Sequence, residues 1–325
     1  MSKRFIRYIH FFGLILFVYL LVKIKPANIL GTIREADILL FTLSFVLFIP
    51  IGLLQTLRWK LFLKLSGIHI KFFKTFQLYL YGQFYGVITP GKIGSFTRIF
   101  LLKDVTDSAL FNRIVSVVLD RISDIVSMLF LVCGGALFLS SKDPRFLYPS
   151  AILIFFGILF LLAAPILHRN EKPLRFVYRI IVPASLSERF TVNDLVHAFR
   201  KSHRLLFPFC LGLAGWMLIF FQGYVVGSSI GLSMGVIEYV FVAPIASIIG
   251  LIPITVSGFG TRDAVFISLM SLYGFPPERG LTLSLLAYFV NAIFPSLLGM
   301  FLIFFNLVQS IGWKQFRKNP FPRPQ

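Results

Sequence analysis

The chain has 325 residues, of which 57% are hydrophobic and 39 are Phe, with a mean hydropathy of +0.84 and a formal net charge of +19. Soluble domains have roughly 45–50% apolar residues, so this composition excludes an ordinary soluble protein and predicts one that uses the bilayer as its solvent. The Lys and Arg residues cluster between apolar runs, as in membrane proteins that set their orientation by charge, and we therefore expect no nucleic-acid partner.

Six apolar segments are long enough to cross a membrane as helices, which takes about 20 residues each. They are residues 6–22, 36–57, 112–139, 147–167, 205–228 and 281–308. The first has a basic start but no small-residue cleavage site after it, so we predict an uncleaved span. The predicted fold class is all-α and polytopic, with a single integral membrane domain over residues 1–311 and a short basic cytoplasmic tail over residues 312–325.

Two further apolar regions are interrupted, so we do not predict them as single membrane-spanning helices. Residues 76–102 break at residues 89–94 (TPGKIG), and residues 240–273 break at residues 257–260 (SGFG). The arms that follow these breaks are residues 95–102 and 261–273. Such arms are too short to cross about 30 Å of hydrocarbon at roughly 1.5 Å per residue. We therefore predict two re-entrant helical hairpins, whose broken backbone must be covered by protein or water.

The charge pattern predicts the orientation of the chain. With the N-terminus in the cytoplasm, the basic flank after span two, which begins at Arg58, falls on the cytoplasmic side. The basic loop 168–204 and the tail fall there too, so we expect a cell-membrane protein with both termini cytoplasmic. Within the loop, residues 188–204 are either an amphipathic surface helix or a plain basic connection.

This topology contains an inverted repeat. Span two, the first hairpin and span three form one unit, and span five, the second hairpin and span six form a second unit of opposite orientation. Inverted repeats with paired interrupted segments are a recurring plan of secondary transporters, and the binding site lies where the repeats meet.

Span three carries four ionisable residues, which are costly inside a membrane and usually functional. They are Arg113, Asp120, Arg121 and Asp124. On a helix the first, second and fourth share a face, whereas Arg121 lies about 100° away. These residues are expected either to line or gate a polar path or to fix helix packing through ion pairs.

The first hairpin tip combines a helix stop with glycines and an arginine. Pro90 ends the first arm because it lacks an N–H, and Gly91 and Gly94 allow a sharp turn or close approach of a ligand. Arg98 follows one turn later. We predict that these two glycines and Arg98 bind an anionic head group.

The second tip has the same character. Gly258 and Gly260 form the turn, and Arg262 and Asp263 begin the next helix. A helix N-terminus beside an arginine suits a phosphate, so the two glycines and Arg262 are predicted to bind substrate and Asp263 to belong to the polar path. Alternatively, Arg262 pairs with Asp263 and the glycines only permit close packing.

No catalytic or metal-binding constellation is visible in the sequence. The two cysteines, Cys133 and Cys210, lie in apolar runs, and no nucleotide-binding, hydrolase or zinc-site spacing occurs. We expect no cofactor, no metal and no enzyme activity.

Three motifs resemble those of the lysylphosphatidylglycerol synthase transmembrane family, also called flippase-like. Residues 89–102 resemble its P-G-x-x-G-E-x-x-R-x-x-L-L motif, residues 120–124 its acidic-R-x-x-D segment, and residues 257–264 its G-G-x-G-x-R-E-A motif. The motifs stand in family order. Ser95 replaces the usual Glu of the first motif, Asp263 stands where Glu is usual, and Ser257 replaces a Gly.

The resemblance implies translocation of a lipid or lipid-linked head group, with membrane lipids as partners. It does not imply synthase activity, which in the named members belongs to a soluble domain that this sequence does not show. Three alternatives stay open: a membrane-embedded lipid-phosphate transferase using Asp120 and Asp124, a non-transporting accessory subunit that binds a partner enzyme through residues 168–204, and a transporter of a soluble anion. The sequence leaves the lipid and the oligomeric state undetermined.

Overall fold

A computed structural model describes residues 15–142, 205–251 and 258–318, together with residues 148, 151, 152 and 155. The regular structure within these ranges is helical. Its helices are α1 (Ile15–Ile24), α2 (Pro26–Arg34), α3 (Ile38–Val46), α4 (Phe48–Leu65), α5 (Phe72–Val87), α6 (Arg98–Leu101), α7 (Leu110–Lys142), α8 (Leu206–Ser229), α9 (Val236–Leu251), α10 (Thr261–Ser271), α11 (Pro277–Tyr288) and α12 (Phe294–Lys318). Two 3₁₀ segments, Pro90–Thr97 and Leu102–Asp104, flank α6, and a π-helical segment, Phe289–Ile293, joins α11 to α12.

Among the described residues, four helical stretches are long and apolar enough to cross a membrane. They are Ile38–Leu65, Leu110–Ser141, Leu206–Ser229 and Pro277–Leu307. They confirm the predicted second, third, fifth and sixth spans and the polytopic all-α class. The predicted fourth span lies almost wholly outside the described residues, and so do the basic loop 168–204 and the last residues of the tail. The count of six spans and the inverted repeat therefore stay predictions.

The chain bends sharply just after the predicted first span, residues 6–22. This span is described only from Ile15, as part of α1, and α1 meets α2 at an angle of 69°. The cause is local, because a residue that precedes a proline avoids helical conformation, and Lys25 adopts a φ of 65° before Pro26. The sequence did not predict α2, whose nine residues are too few to cross a membrane. Its buried Ile29 packs against Leu281 of α11.

The second span is longer than predicted, and the prediction that a cytoplasmic flank begins at Arg58 is wrong. It continues to Leu65 instead of ending near residue 57. Pro50 lacks the N–H that would bond to the carbonyl of Val46, so α3 and α4 meet at a break there. Arg58, predicted to begin a cytoplasmic flank, is 1% exposed, and Trp59 after it is fully buried.

Both predicted interruptions coincide with the ends of regular α-helix. Helix α5 stops at Val87 and the chain continues as 3₁₀ helix, so the regular returning arm is only the four residues of α6. Helix α9 is described as far as Leu251, and α10 begins at Thr261, directly after the predicted break. Residues 252–257, which include Ser257, lie outside the described ranges.

Glycines bring the long arm of each broken segment against a spanning helix. Helix α5 packs along α12, and α9 packs along α7. A Cβ atom at Gly135 would meet the carbonyl oxygen of Phe241, and one at Gly299 would meet the carbonyl oxygen of Leu80. Small residues of this kind let helix backbones touch inside a membrane. Each contact joins the broken segment of one predicted repeat unit to the last span of the other.

These contacts predict that a single methyl group at either glycine destabilises the fold. Gly135→Ala and Gly299→Ala should each lower the free energy of unfolding by about 1–3 kcal/mol through overpacking, measured by thermal unfolding of the purified protein in detergent. Gly31→Ala is the control, because nothing lies within 4 Å of a Cβ atom built there. Equal melting of all three variants and the wild type would contradict the close contact.

Candidate functional site

A buried ion network joins the second and third spans. The Arg58 Nε and Nη2 groups donate to Asp120 Oδ1 at 2.9 and 2.7 Å, and its Nη1 group donates to Asp124 Oδ1 at 2.7 Å. Arg58 and Asp120 are each 1% exposed, whereas Asp124 is 14% exposed. One arginine of α4 thus pairs with both carboxylates of α7, and buried charges need such partners.

Arg98, predicted to bind substrate, extends this network from α6. Its Nη2 group donates to Asp120 Oδ2 at 2.8 Å, and its guanidinium lies 4.4 Å from the ring centroid of Trp59. The position is available because a Cβ atom at Gly82 would collide with the Arg98 side chain. Arg98 is 1% exposed, and its Nη1 group has no hydrogen-bond partner among the described residues.

The two arginines of α7 have different partners: Arg121 joins the aspartates of the network, and Arg113 does not. Arg121 lies 3.2 Å from both Asp120 Oδ2 and Asp124 Oδ2, so its long side chain reaches the aspartates from the neighbouring face. Trp216 of α8 donates its indole N–H to Asp124 Oδ1 at 3.0 Å. Arg113 is apart from the aspartates, and its Nη1 group donates to the Ile99 carbonyl at 3.3 Å.

The second tip is built around Asp263, which is fully buried. Its Oδ2 atom accepts the Gly260 N–H at 3.0 Å, and its Oδ1 atom accepts the Ser284 hydroxyl at 2.6 Å. Arg262 pairs with the same Oδ1 atom at 2.7 Å and lies 4.6 Å from the ring centroid of Tyr288. Arg262 therefore makes the ion pair considered above as an alternative to ligand binding, and it also faces the cavity described next.

The glycines of the tips make close backbone contacts. A Cβ atom at Gly94 would meet the carbonyl oxygen of Tyr85, and one at Gly258, where φ is 79°, would lie 2.7 Å from Gly250 Cα. Gly91 lies in the 3₁₀ segment. Close packing accounts for Gly94 and Gly258, and their role in substrate binding stays a prediction.

A cavity of about 310 Å³ lies where the two broken segments meet. Among the described residues, four cations and one carboxylate line it: Arg58, Lys92, Arg121, Arg262 and Asp124. Its polar lining includes Gln55, Gln83, Gln222 and Asn291, and its aromatic lining includes Tyr79, Trp216, Tyr239 and Tyr288. Arg98, Asp120 and Asp263 are not part of the wall and lie behind residues that are. The cavity thus brings residues of both predicted tips and of span three to one place.

Sequence reasoning missed several of these residues. The burial of Arg58 could have been predicted, because apolar residues continue after it for another two turns of helix. Asn291 lies in the π-helical segment, and such segments are frequent at functional sites. No sequence pattern predicts a π-helical segment. Gln222 of α8 donates to the Ser44 carbonyl of α3 at 2.7 Å, an inter-helix hydrogen bond of the kind that polar residues make inside membranes.

The network predicts unequal effects for the two aspartates of α7. Asp120→Asn should lower the free energy of unfolding by about 3–5 kcal/mol, because it leaves buried guanidinium groups uncompensated, whereas Asp124→Asn should cost less because water reaches that carboxylate. The measurement is the thermal unfolding midpoint in detergent, with the exposed Asp107→Asn as control. Equal midpoints for Asp120→Asn and Asp107→Asn would refute the structural role of the network.

The comparisons with known proteins agree with the motifs. Residues 7–299 match the family model described as the lysylphosphatidylglycerol synthase TM region. A UPF0104 membrane protein of Methanocaldococcus jannaschii is 27% identical over 288 residues, which are 79% of this chain and 82% of that protein. Another, from Pyrococcus horikoshii, is 22% identical over 320 residues, which are 88% of this chain and 93% of that protein. Since the family match covers nearly the whole chain, this multi-pass membrane protein belongs to the family of the lysylphosphatidylglycerol synthase transmembrane region.

Proposed function

We propose that the protein moves a lipid with an anionic head group between the two leaflets of its membrane. The observation that carries this proposal is the cationic cavity between the two broken segments, lined by Arg58, Lys92, Arg121 and Arg262. A phosphate that leaves water for the membrane interior needs compensating charge. Arginine supplies it in a planar array of donors that matches phosphate oxygens.

Arg262 is the best placed of these cations for a ligand. Asp263 and the Tyr288 ring hold its guanidinium from two sides, so little side-chain freedom is lost when an anion binds. Its position in the first turn of α10 places it at the positive end of the helix dipole, which favours anions.

The size of the cavity suits a head group with its acyl chains left in the bilayer. Ligand pockets hold roughly 300–1,000 Å³, and this cavity of about 310 Å³ is at the lower end of that range. Large apolar side chains remain exposed on the outer surface of the spans, among them Phe130, Phe301 and Phe304. In the proposed mechanism such surfaces face lipid while the head group passes along the polar wall.

Asp124 is the gating group in this mechanism. It is the more exposed of the two network carboxylates, and Arg121 holds it at a distance of 3.2 Å. An entering phosphate competes with Asp124 for Arg121, whereas Asp120 remains bound behind the wall. Arg58 already occupies both carboxylates, which favours a role in charge balance over the metal-assisted transferase chemistry considered from the sequence.

A blocking substitution tests the path. Ser247 lines the cavity, and Ser247→Phe should reduce leaflet exchange several-fold by filling it. The assay reconstitutes the protein in liposomes and measures how much fluorescent phosphatidylglycerol, and in a parallel sample fluorescent phosphatidic acid, becomes accessible to a membrane-impermeant quencher. Ser268→Phe is the matched control, because Ser268 is exposed and, like Ser247, donates its hydroxyl to the carbonyl four residues earlier.

The expected result is exchange above that of protein-free liposomes for the wild type and Ser268→Phe, and a marked loss for a folded Ser247→Phe. Wild-type exchange no faster than in protein-free liposomes would contradict translocation by the protein alone. It would turn attention to the accessory-subunit and transferase hypotheses.

A further inference from the structure

We infer that the cavity selects a head group that ends in a phosphate monoester, with two negative charges on one phosphoryl group, over a phosphodiester with a single charge. The inference rests on the proposed function for the presence of a lipid ligand, and it names the substrate class of the same site. It makes a statement about binding that holds or fails independently of translocation.

The charge balance of the site is the first reason. Five cations belong to the cavity wall or to ion pairs directly behind it: Arg58, Lys92, Arg98, Arg121 and Arg262. Three carboxylates oppose them: Asp120, Asp124 and Asp263. Across the described part of the chain this leaves an excess of two positive charges at the site, without counting Arg113, which lies outside the network.

Lys92 is the second reason, because it carries a charge that no described carboxylate neutralises by an ion pair. It lines the cavity together with Arg121 and Arg262, which repel it, and with Asp124, which attracts it. Three cations from the first tip, span three and the second tip therefore converge on the same space. Such a convergence is unfavourable until an anion enters.

The backbone at Lys92 is the third reason. Its φ is 56°, in the left-handed region that a residue with a side chain rarely adopts. The tip holds it there, since the Lys92 N–H donates to the Thr89 carbonyl at 3.3 Å and the Ser95 hydroxyl donates to the Lys92 carbonyl at 2.8 Å. Strain kept at a residue that faces a cavity points to a use for its side chain.

A phosphate monoester matches these features better than a diester does. Its charge is about −1.5 to −2 at neutral pH, and it presents three acceptor oxygens, enough for Lys92, Arg121 and Arg262 to share. A diester brings one charge and would leave part of the excess uncompensated in a low-dielectric site.

The test compares two lipids that differ by one methyl ester. Short-chain phosphatidic acid and phosphatidylmethanol are titrated at pH 8 into the full-length protein in neutral detergent, and dissociation constants are measured by native mass spectrometry. We expect phosphatidic acid to bind roughly tenfold more tightly, as one further charge-assisted contact would give. Equal affinities would overturn the inference.

Substitutions at Lys92 locate the preference. Lys92→Gln should weaken phosphatidic acid binding roughly tenfold and phosphatidylmethanol binding less. Lys92→Gly should do the same while relieving the left-handed backbone, which separates loss of binding from loss of folding. Lys103→Gln, an exposed lysine after α6, is the control. A preference that persists in both Lys92 variants would overturn the assignment of the site.

Two further comparisons complete the test. The first distinguishes a lipid ligand from a soluble phosphate, and the second distinguishes failure of this inference from failure of the proposed translocation. Displacement of phosphatidic acid by equal concentrations of glycerol 3-phosphate or inorganic phosphate would support the dianion site with a soluble ligand, and failure to displace it would support a lipid ligand. Leaflet exchange without a dianion preference overturns only this inference. A preference without exchange overturns only translocation.

Discussion

The buried pairing of Arg58 with Asp120 and Asp124 is the interaction on which the rest of this membrane domain depends. An uncompensated ion in a low-dielectric interior costs several kcal/mol, so the helices that carry these charges are constrained to positions in which the charges meet. Arg58 comes from α4, Arg98 from α6 and both carboxylates from α7, while Trp216 of α8 closes the network with an indole hydrogen bond. The wall of the cavity follows from this constraint.

The described parts of the two broken segments bind backbone N–H groups in different ways and reach the same cavity. In the first, side chains of the segment itself bind its free groups, as when the Thr89 hydroxyl accepts the Gly94 N–H at 2.6 Å. In the second, the Asp263 carboxylate accepts the Gly260 N–H and compensates Arg262. Non-helical backbone survives at membrane depth only when it is covered or lines a cavity, and the described parts of both breaks border the cavity through Lys92 and Arg262.

One departure from the family motif bears directly on this charge. Ser95 stands where the family pattern has an acid, and its hydroxyl bonds to the Lys92 carbonyl within the tip. A carboxylate so near in the chain would offset the charge of Lys92, whereas serine supports the turn without doing so. Membership of the family establishes the class of membrane protein, and the proposed substrate follows from the cavity of this chain.

The sequence by itself determined the membrane class, four of the spans, the places where the apolar helices break, and the proximity of Arg262 to Asp263, because hydropathy, Pro and Gly act locally along the chain. Only the tertiary structure decided that Arg58 pairs with a carboxylate 62 residues away, that Arg98 lies behind the wall against Trp59, and that Lys92 and Arg262 line the same cavity. Contacts between helices depend on their relative rotation and depth, which arise from the packing of the whole bundle and are encoded in no single segment.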